Sequence, residues 1–175
     1  MNNKQIYFAK TKPNAVIPSK REEDAGFDIY ACFEEDFIIL NAHETRLIPT
    51  GIASAFSSDY VALLKERGST GTKGIGQRCG VIDSGFRDEW FVPVTNHNDC
   101  PLVIKKSHVK ESDYCFILTG SEEVASRHIV YPYEKAITQC VMTEVPKLKI
   151  EEISYEDLVK FESERGLGAL GSSGK

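Results

Sequence analysis

A glycine-rich stretch in the first half of the chain has the residues to bind phosphate. Residues 65–74 read K-E-R-G-S-T-G-T-K-G and combine Arg67 and Lys73 with three hydroxyl side chains and with backbone amides. Glycine lets N–H groups approach phosphate oxygens closely, and a guanidinium can hold two oxygens at once. The stretch lacks the G-x-x-x-x-G-K-[ST] pattern of a Walker A loop, and a charged surface turn would have a similar composition.

Two polar side chains stand inside segments with strand character. Asp28 lies between Phe27 and Ile29 in A-G-F-D-I-Y-A, and Gln139 lies in K-A-I-T-Q-C-V-M. Alternation along a strand places such a side chain either on the solvent face or toward a polar site. The local pattern leaves both interpretations open.

A further candidate is Asp83, in the stretch C-G-V-I-D-S-G-F-R-D-E-W that covers residues 79–90. Ser84-Gly85 is a turn signal between two arms: residues 81–82, and a second arm that opens with Phe86 and continues to residues 90–92. The pattern therefore predicts a β-hairpin in which glycine supplies a positive φ. Aspartate is common beside turns because it bonds nearby backbone amides, so a chemical role for Asp83 needs support from other segments.

The elements that would position these groups are short strands separated by turn signals. Their spacing predicts an all-β sandwich, jelly roll or barrel. Ser154 and Asp157 have capping-box spacing and predict a short helix late in the chain. The strands are predicted at residues 6–8, 27–31, 37–40, 46–48, 60–64, 90–95, 102–104, 115–118 and 137–142.

The composition predicts one domain with a tail. A chain of 175 residues, 41% of them hydrophobic, can bury one core. We predict a β domain over residues 1–150, a linker with a short helix over 151–164 and a glycine-rich arm over 165–175. The arm has too few buriable side chains to offset its ordering entropy, so we expect it to be flexible unless it binds something.

Charge and cysteine content exclude several classes. The net charge of −5 argues against non-specific nucleic-acid binding, which needs a broad basic surface. The five cysteines are an odd number without a C-x-x-C pair, so we expect a reducing, cytoplasmic environment. No apolar run is long enough to cross a bilayer, and the sequence predicts a soluble protein that does not bind membranes.

The order of the motifs identifies a family. A-G-F-D-I-Y-A, R-G-S-T-G, G-V-I-D-S-G-F-R, A-I-T-Q-C and R-G-L-G-A-L-G-S-S-G resemble, in sequence and order, the five motifs of the homotrimeric dUTP diphosphatases (dUTPases). The resemblance covers residues 25–174. It implies a distorted β jelly roll of the β-clip type, a homotrimer with shared active sites, and hydrolysis of dUTP to dUMP and diphosphate.

The resemblance also implies roles for individual residues. Asp83 would activate water for attack on the α-phosphate, and Phe86 would pack against deoxyribose. Asp28 would contact Mg²⁺ through waters. Arg165 would hold the γ-phosphate as the arm closes over the active site of a neighbouring subunit. The residues assigned to the substrate are Arg67, Gly68, Ser69, Thr70, Gln77, Gly80, Val81, Ile82, Phe86, Gln139, Arg165, Leu170, Gly171, Ser172 and Ser173.

The sequence departs from the family pattern in several places. The second motif commonly reads Arg-Ser-[Gly/Ser], whereas here Gly68 precedes Ser69, so either Ser69 or the backbone holds the phosphate chain. Leu170 stands where the arm usually carries an aromatic residue. Residues 107–128 are extra chain between the third and fourth motifs, either a surface embellishment or a segment that binds a protein partner.

Two alternatives remain at this point. A dCTP deaminase of the same fold would need a glutamate on the strand that follows the Asp83 turn, and residues 91–95 contain no carboxylate. A nucleotide-binding regulator could act on a protein partner through residues 107–128.

Overall fold

The structure is a computed structural model, and it describes residues 4–119, 127–164 and 166–167. The chain divides into two units, residues 1–145 and residues 146–175. Within the described ranges the strands are β1 (Ile6–Lys10), β2 (Gly26–Ile29), β3 (Phe37–Leu40), β4 (Thr45–Pro49), β5 (Ile52–Phe56), β6 (Tyr60–Lys65), β7 (Ile75–Gln77), β8 (Val81–Ile82), β9 (Phe91–Asn96), β10 (Leu102–Lys105), β11 (Ile129–Pro132) and β12 (Thr138–Glu144). The helices are α1 (Gly68–Gly71), α2 (Ser112–Thr119) and α3 (Tyr155–Leu158).

The predicted all-β architecture with a few short helices is confirmed. The strands form four open sheets with the orders β1-β5, β11-β10-β3, β2-β12-β6-β8 and β4-β9-β7. Strands β10 and β11 are parallel, and the other pairs are antiparallel. In the largest sheet β12 lies between β2 and β6, and this sheet carries most of the candidate site.

One hydrophobic core joins the four sheets, because strands of each sheet contribute buried side chains to it. Trp90 is fully buried and meets Phe8 edge to face, with 5.6 Å between ring centroids. Burial of a large apolar side chain of this kind contributes about 1.5–3 kcal/mol. In β5 the inward positions are Ile52, Ser54 and Phe56, which alternate with half-buried alanines.

The predicted hairpin around Asp83 is wrong in its pairing. Strand β8 pairs with β6, whereas β9 pairs with β4 and β7, so the chain between them passes from one sheet to another. The turn itself is present, since the Phe86 amide donates to the Asp83 carbonyl at 3.1 Å. Gly85 does not adopt the predicted positive φ. A turn that does not join paired strands need not match their twist, which is what favours positive φ in tight hairpins.

The predicted strand at residues 115–118 is also wrong, because this segment lies in α2. Tyr114 and Cys115 are buried, while Phe116 and Ile117 are 61% and 65% exposed, an arrangement that suits a helix turning past the core. Tyr114 packs with Val103 in a small satellite cluster. A short apolar run without periodicity fits either element, and here no neighbouring strand pairs with it in the described part of the chain.

The helix predicted after residue 154 is confirmed in the second unit. The Ser154 hydroxyl accepts a hydrogen bond from the Asp157 amide at 3.1 Å and caps α3. This bond satisfies one of the backbone donors left free at a helix start. Among the residues that the structure describes, no helix has the length and apolar character needed to span a membrane.

Candidate active site

The largest sheet aligns three residues of the candidate site across neighbouring strands. On β12, Gln139 stands opposite Asp28 of β2 on one side and opposite Lys65 of β6 on the other. The Gln139 amide donates to the Glu66 carbonyl at 2.9 Å, just beyond the end of β6. Gly26 leaves room for this amide, since a Cβ there would lie 2.7 Å from the Gln139 Oε1 atom.

Arg67 links the end of β6 to β2 through its guanidinium. Nε lies 3.0 Å from Asp28 Oδ1, and Nη2 donates to Asp28 Oδ2 at 3.2 Å. Nη1 donates to the Ala136 carbonyl at 3.2 Å and reaches the Ser69 hydroxyl at 3.4 Å. Two parallel bonds to one carboxylate fix a guanidinium more firmly than a single contact does. The structure therefore brings Asp28, Arg67 and Ser69 together.

Helix α1 shapes the backbone beside Arg67. The Thr70 hydroxyl accepts from the Arg67 amide at 3.1 Å and donates to the Arg67 carbonyl at 3.0 Å. Thr70 is only 1% exposed, so its hydroxyl serves this turn and not the cavity beside it. Gly68 and Ser69 do face that cavity.

A cavity of about 740 Å³ surrounds the Asp28–Arg67 pair. Its lining includes two basic residues, Lys20 and Arg21, that the motif analysis missed, although S-K-R stands only a few positions before A-G-F-D in the sequence. Arg21 lowers the pKa of Asp24 by a side-chain hydrogen bond. The lining residues are Ser19, Lys20, Arg21, Asp24, Ala25, Gly26, Asp28, Arg67, Gly68, Ser69 and Gln139.

The segment predicted to recognise the base lies along the outer edge of the same sheet. The Gly80 carbonyl accepts from the Leu64 amide at 2.7 Å, and a Cβ at Gly80 would lie 2.5 Å from the Leu64 carbonyl oxygen. Gln77 is close, since the same Cβ would lie 2.9 Å from its Nε2 atom. Gly80, Gln77, Val81 and Glu66 share a second cavity of about 230 Å³, and Glu66 is another residue that the motifs did not single out.

Asp83 and Phe86 do not line the cavity around the Asp28–Arg67 pair. Both residues are exposed, and they follow β8, which lies three strands away from β2 in the sheet order. At about 4.8 Å between neighbouring strands, this separation is roughly 14 Å. Arg87 steadies the turn, because its Nη1 atom donates to the Phe86 carbonyl at 2.9 Å.

The remaining predicted site residues belong to the C-terminal arm. Arg165, Leu170, Gly171, Ser172 and Ser173 lie outside the described residues, so their roles stay predictions.

Comparisons with known proteins identify the family of this chain. The dUTPase family model matches residues 12–109. A deoxyuridine 5'-triphosphate nucleotidohydrolase of Nautilia profundicola is 31% identical over 175 residues, covering 98% of this chain and 99% of its own. The enzyme of the same name from Gloeobacter violaceus is 29% identical over 154 residues, covering 86% of this chain and 83% of its own. The chain belongs to the dUTPase family.

Solved dUTPase structures share the fold. A mutant dUTPase of Staphylococcus bacteriophage 80alpha, solved with dUpNHpp, superposes with a TM-score of 0.71 at 20% identity over 97% of this chain and 98% of that one. A mutant dUTPase from phage phi11 of S. aureus, described with a coordinated structural Mg(II) ion, gives 0.64 at 19% identity, over 91% of this chain and 99% of that one. These likenesses confirm the predicted dUTPase-like jelly roll.

Proposed function

We propose that this protein hydrolyses dUTP to dUMP and diphosphate. Family membership supports the reaction, and the cavity around the Asp28–Arg67 pair carries the proposal. This cavity offers a guanidinium, a hydroxyl and an amide to an anionic chain, and the separate segment at residues 80–86 offers backbone groups to a base. No carboxylate stands on β9, where a dCTP deaminase would need one, so that alternative is not favoured.

In the proposed reaction Asp83 is the general base. It accepts a proton from a water whose oxygen forms a bond to the α-phosphorus. The bond from that phosphorus to the oxygen bridging the α- and β-phosphates breaks, and diphosphate leaves with the bonding electrons. An exposed carboxylate on a fixed turn suits this role, because proton transfer needs a base held within hydrogen-bond reach.

Backbone groups of residues 80–82 would select the base. Uracil and cytosine present opposite hydrogen-bonding patterns at N3 and position 4, so a fixed donor and acceptor can satisfy one and leave the other unpaired. Phe86 would pack against deoxyribose and leave no space for a ribose 2′-hydroxyl. The bond between Gly80 and Leu64 holds this segment in place.

Magnesium fits the residues that face the cavity. The described residues contain no group of three or more histidine, cysteine or acidic side chains that could hold a metal on their own. Magnesium is commonly bound by one or two carboxylates, waters and substrate phosphates, and Asp28 supplies one carboxylate. The ion would neutralise charge on the phosphates, while Asp28 would hold its waters in position.

A homotrimer would complete the site. Because Asp83 does not line the cavity that holds Asp28 and Arg67, we expect that one chain does not bring the base near the phosphate groups. A neighbouring copy could supply residues 80–86, and the arm with Arg165 would come from a copy as well. Deleting residues 164–175 should leave the β domain folded and remove most activity. An active truncated protein would rule out a role of the arm in catalysis.

Two further proposals concern the surroundings of the protein. A reducing, cytoplasmic environment is supported by the five cysteines, none of which forms a disulfide. A protein partner that binds through residues 107–128 is supported by the exposure of Phe116 and Ile117 on α2. The boundaries at residues 150 and 164 stay predictions.

The test is release of diphosphate from dUTP with Mg²⁺, compared with dCTP, dTTP and UTP. Asp83→Asn should reduce kcat roughly 10²- to 10⁴-fold, the usual contribution of general-base catalysis. Asp88→Asn is the matched control, because Asp88 is exposed in the same segment and accepts a local bond from the Glu89 amide. Wild-type turnover in Asp83→Asn would refute the assigned role, and equal rates with dCTP and dUTP would refute the substrate.

A further inference from the structure

The basic loop, residues 19–24, lies directly against the site although it precedes all five motifs. The Asp28 amide donates to the Ser19 carbonyl at 2.9 Å, and this pair forms an isolated antiparallel bridge. The bridge fixes the start of the loop beside the residue that binds Arg67. Lys20 and Arg21 follow immediately and line the same cavity as Arg67, Ser69 and Gln139.

The basic loop is organised by its own polar groups. Lys20 Nζ donates to the Asp24 carbonyl at 2.6 Å and to two further loop carbonyls at 3.3 Å. The Arg21 guanidinium makes two bonds to the Asp24 carboxylate, each of 2.9 Å. Arg21 is 88% exposed, and an exposed ion pair contributes little to stability, so Arg21 can exchange this partner for a ligand at low cost.

The cavity needs the positive charges of Lys20 and Arg21 if a triphosphate is to bind. Asp28 already compensates Arg67, and Asp24 contributes a second negative charge to the lining. Without Lys20 and Arg21 the described lining would therefore repel a highly charged anion. With them, basic side chains outnumber acidic ones on the cavity wall.

We propose that Lys20 and Arg21 bind the triphosphate chain of the substrate, in addition to the residues of the five motifs. This inference rests on the proposed function and names two further substrate-binding residues for it. Arg21 can present a planar pair of donors to phosphate oxygens, while Lys20 acts as a compact charge on the cavity wall. Their contribution grows with the number of phosphates, so they favour dUTP over dUMP.

The experiment measures dissociation constants for a non-hydrolysable dUTP analogue, for dUMP and for inorganic tripolyphosphate, all with Mg²⁺. Lys20→Ala and Arg21→Ala should each weaken analogue binding roughly 2- to 12-fold, the range that corresponds to the net worth of one hydrogen bond. The double variant should lose more, and its affinity for dUMP should change least. The difference from wild type should shrink at high ionic strength.

Matched controls are Lys10→Ala and Arg46→Ala, since both side chains are exposed and neither lines this cavity. Asp24→Asn gives a test of opposite sign. It removes a negative charge and releases Arg21, so analogue binding should become tighter. A role in loop structure alone would make Asp24→Asn and Arg21→Ala weaken binding alike, and that result would overturn the proposal.

The outcomes separate this inference from the proposed function. If wild type hydrolyses dUTP and the double variant binds the analogue and tripolyphosphate as wild type does, the basic loop has no substrate role and the proposed function stands. If wild type does not hydrolyse dUTP, loss of tripolyphosphate binding in the double variant would still support an anion site formed by Lys20 and Arg21.

Discussion

Asp28 and Arg67 form a two-point ion pair that joins the middle of β2 to the segment just after β6. The two contacts measure 3.0 and 3.2 Å, and each side chain is about one-third exposed. Both groups are assigned to the substrate side of the proposed reaction, one toward magnesium and one toward phosphate. In the free protein the two side chains therefore bind each other. Asp28 must release Arg67 to act on magnesium, and Arg67 must release Asp28 to bind phosphate.

The first prediction follows from that exchange. Asp28→Asn should reduce kcat/KM with Mg²⁺, yet it should tighten binding of a non-hydrolysable dUTP analogue in EDTA, because Arg67 becomes free to hold phosphate. We expect roughly 3- to 10-fold tighter binding, a value that allows for the partial exposure of the pair. Isothermal titration calorimetry measures it, with Asp36→Asn as the control, since Asp36 pairs with Lys106 and His108 elsewhere. Unchanged or weaker binding in EDTA would contradict the exchange.

The second prediction concerns the departure from the family pattern at Gly68-Ser69. Ser69→Ala should lower kcat/KM roughly 2- to 12-fold, because it removes one hydroxyl contact with the phosphate chain. Gly68→Ser should be tolerated, since a Cβ at Gly68 meets nothing within 4 Å. Steady-state measurement of kcat/KM for both variants and wild type tests this prediction. If Ser69→Ala behaves as wild type, backbone amides and not Ser69 hold the phosphates.

The third prediction concerns Gly80. Gly80→Ala places a Cβ 2.5 Å from the Leu64 carbonyl oxygen, so β8 must move away from β6. We expect a loss of about 1–3 kcal/mol in the free energy of unfolding, as for other overpacked sites, together with weaker preference for dUTP over dCTP. Gly85→Ala is the control, because a Cβ there meets nothing within 4 Å. Urea denaturation measures the loss of stability, and the ratio of kcat/KM for dUTP to that for dCTP measures the change in preference. Full stability in Gly80→Ala would exclude the close approach of Gly80 to the Leu64 carbonyl.

The fourth prediction uses the cysteines as probes of the base segment. Cys79 is exposed and precedes Gly80, whereas Cys140 is buried, and burial raises its pKa to about 12. The thiolate is the reactive form, so iodoacetamide at pH 8 should modify Cys79 much faster than Cys140. Saturating dUMP should slow modification of Cys79, as mass spectrometry of the digested protein would show. Equal rates with and without dUMP would mean that the base does not cover this segment.

Much of the fold could be predicted from local pattern. Every predicted strand except residues 115–118 corresponds to an observed one, because alternation and turn residues carry the signal directly. Strand β5 was missed because a serine occupies its central buried position and alanines flank it, which hides the alternation. Strands β7 and β11 were missed as well, and β7 has only three residues, one of them glycine.

The site was predictable in its residue types but not in its connections. Motif order identified Asp28, Arg67 and Gln139, yet their proximity depends on the register of β12 between β2 and β6, which no local pattern specifies. The hairpin prediction failed for the same reason, since pairing of β8 with β6 is a non-local choice. Lys20 and Arg21 were missed because their relevance comes from the bridge between Ser19 and Asp28.

The central position of β12 has a consequence for the order of events during synthesis. Gln139 pairs with Asp28, which leaves the ribosome about 110 residues earlier. Strand β2 therefore remains without its strand partner, with an unpaired edge, until residues 138–144 have been translated. Pairing across so long a loop is entropically costly and slow, which makes this waiting period the stage most open to aggregation. Ribosome-bound chains that end before residue 138 should be cleaved readily by protease near β2. Chains extended well past residue 144 should resist, because β12 can then pair with β2.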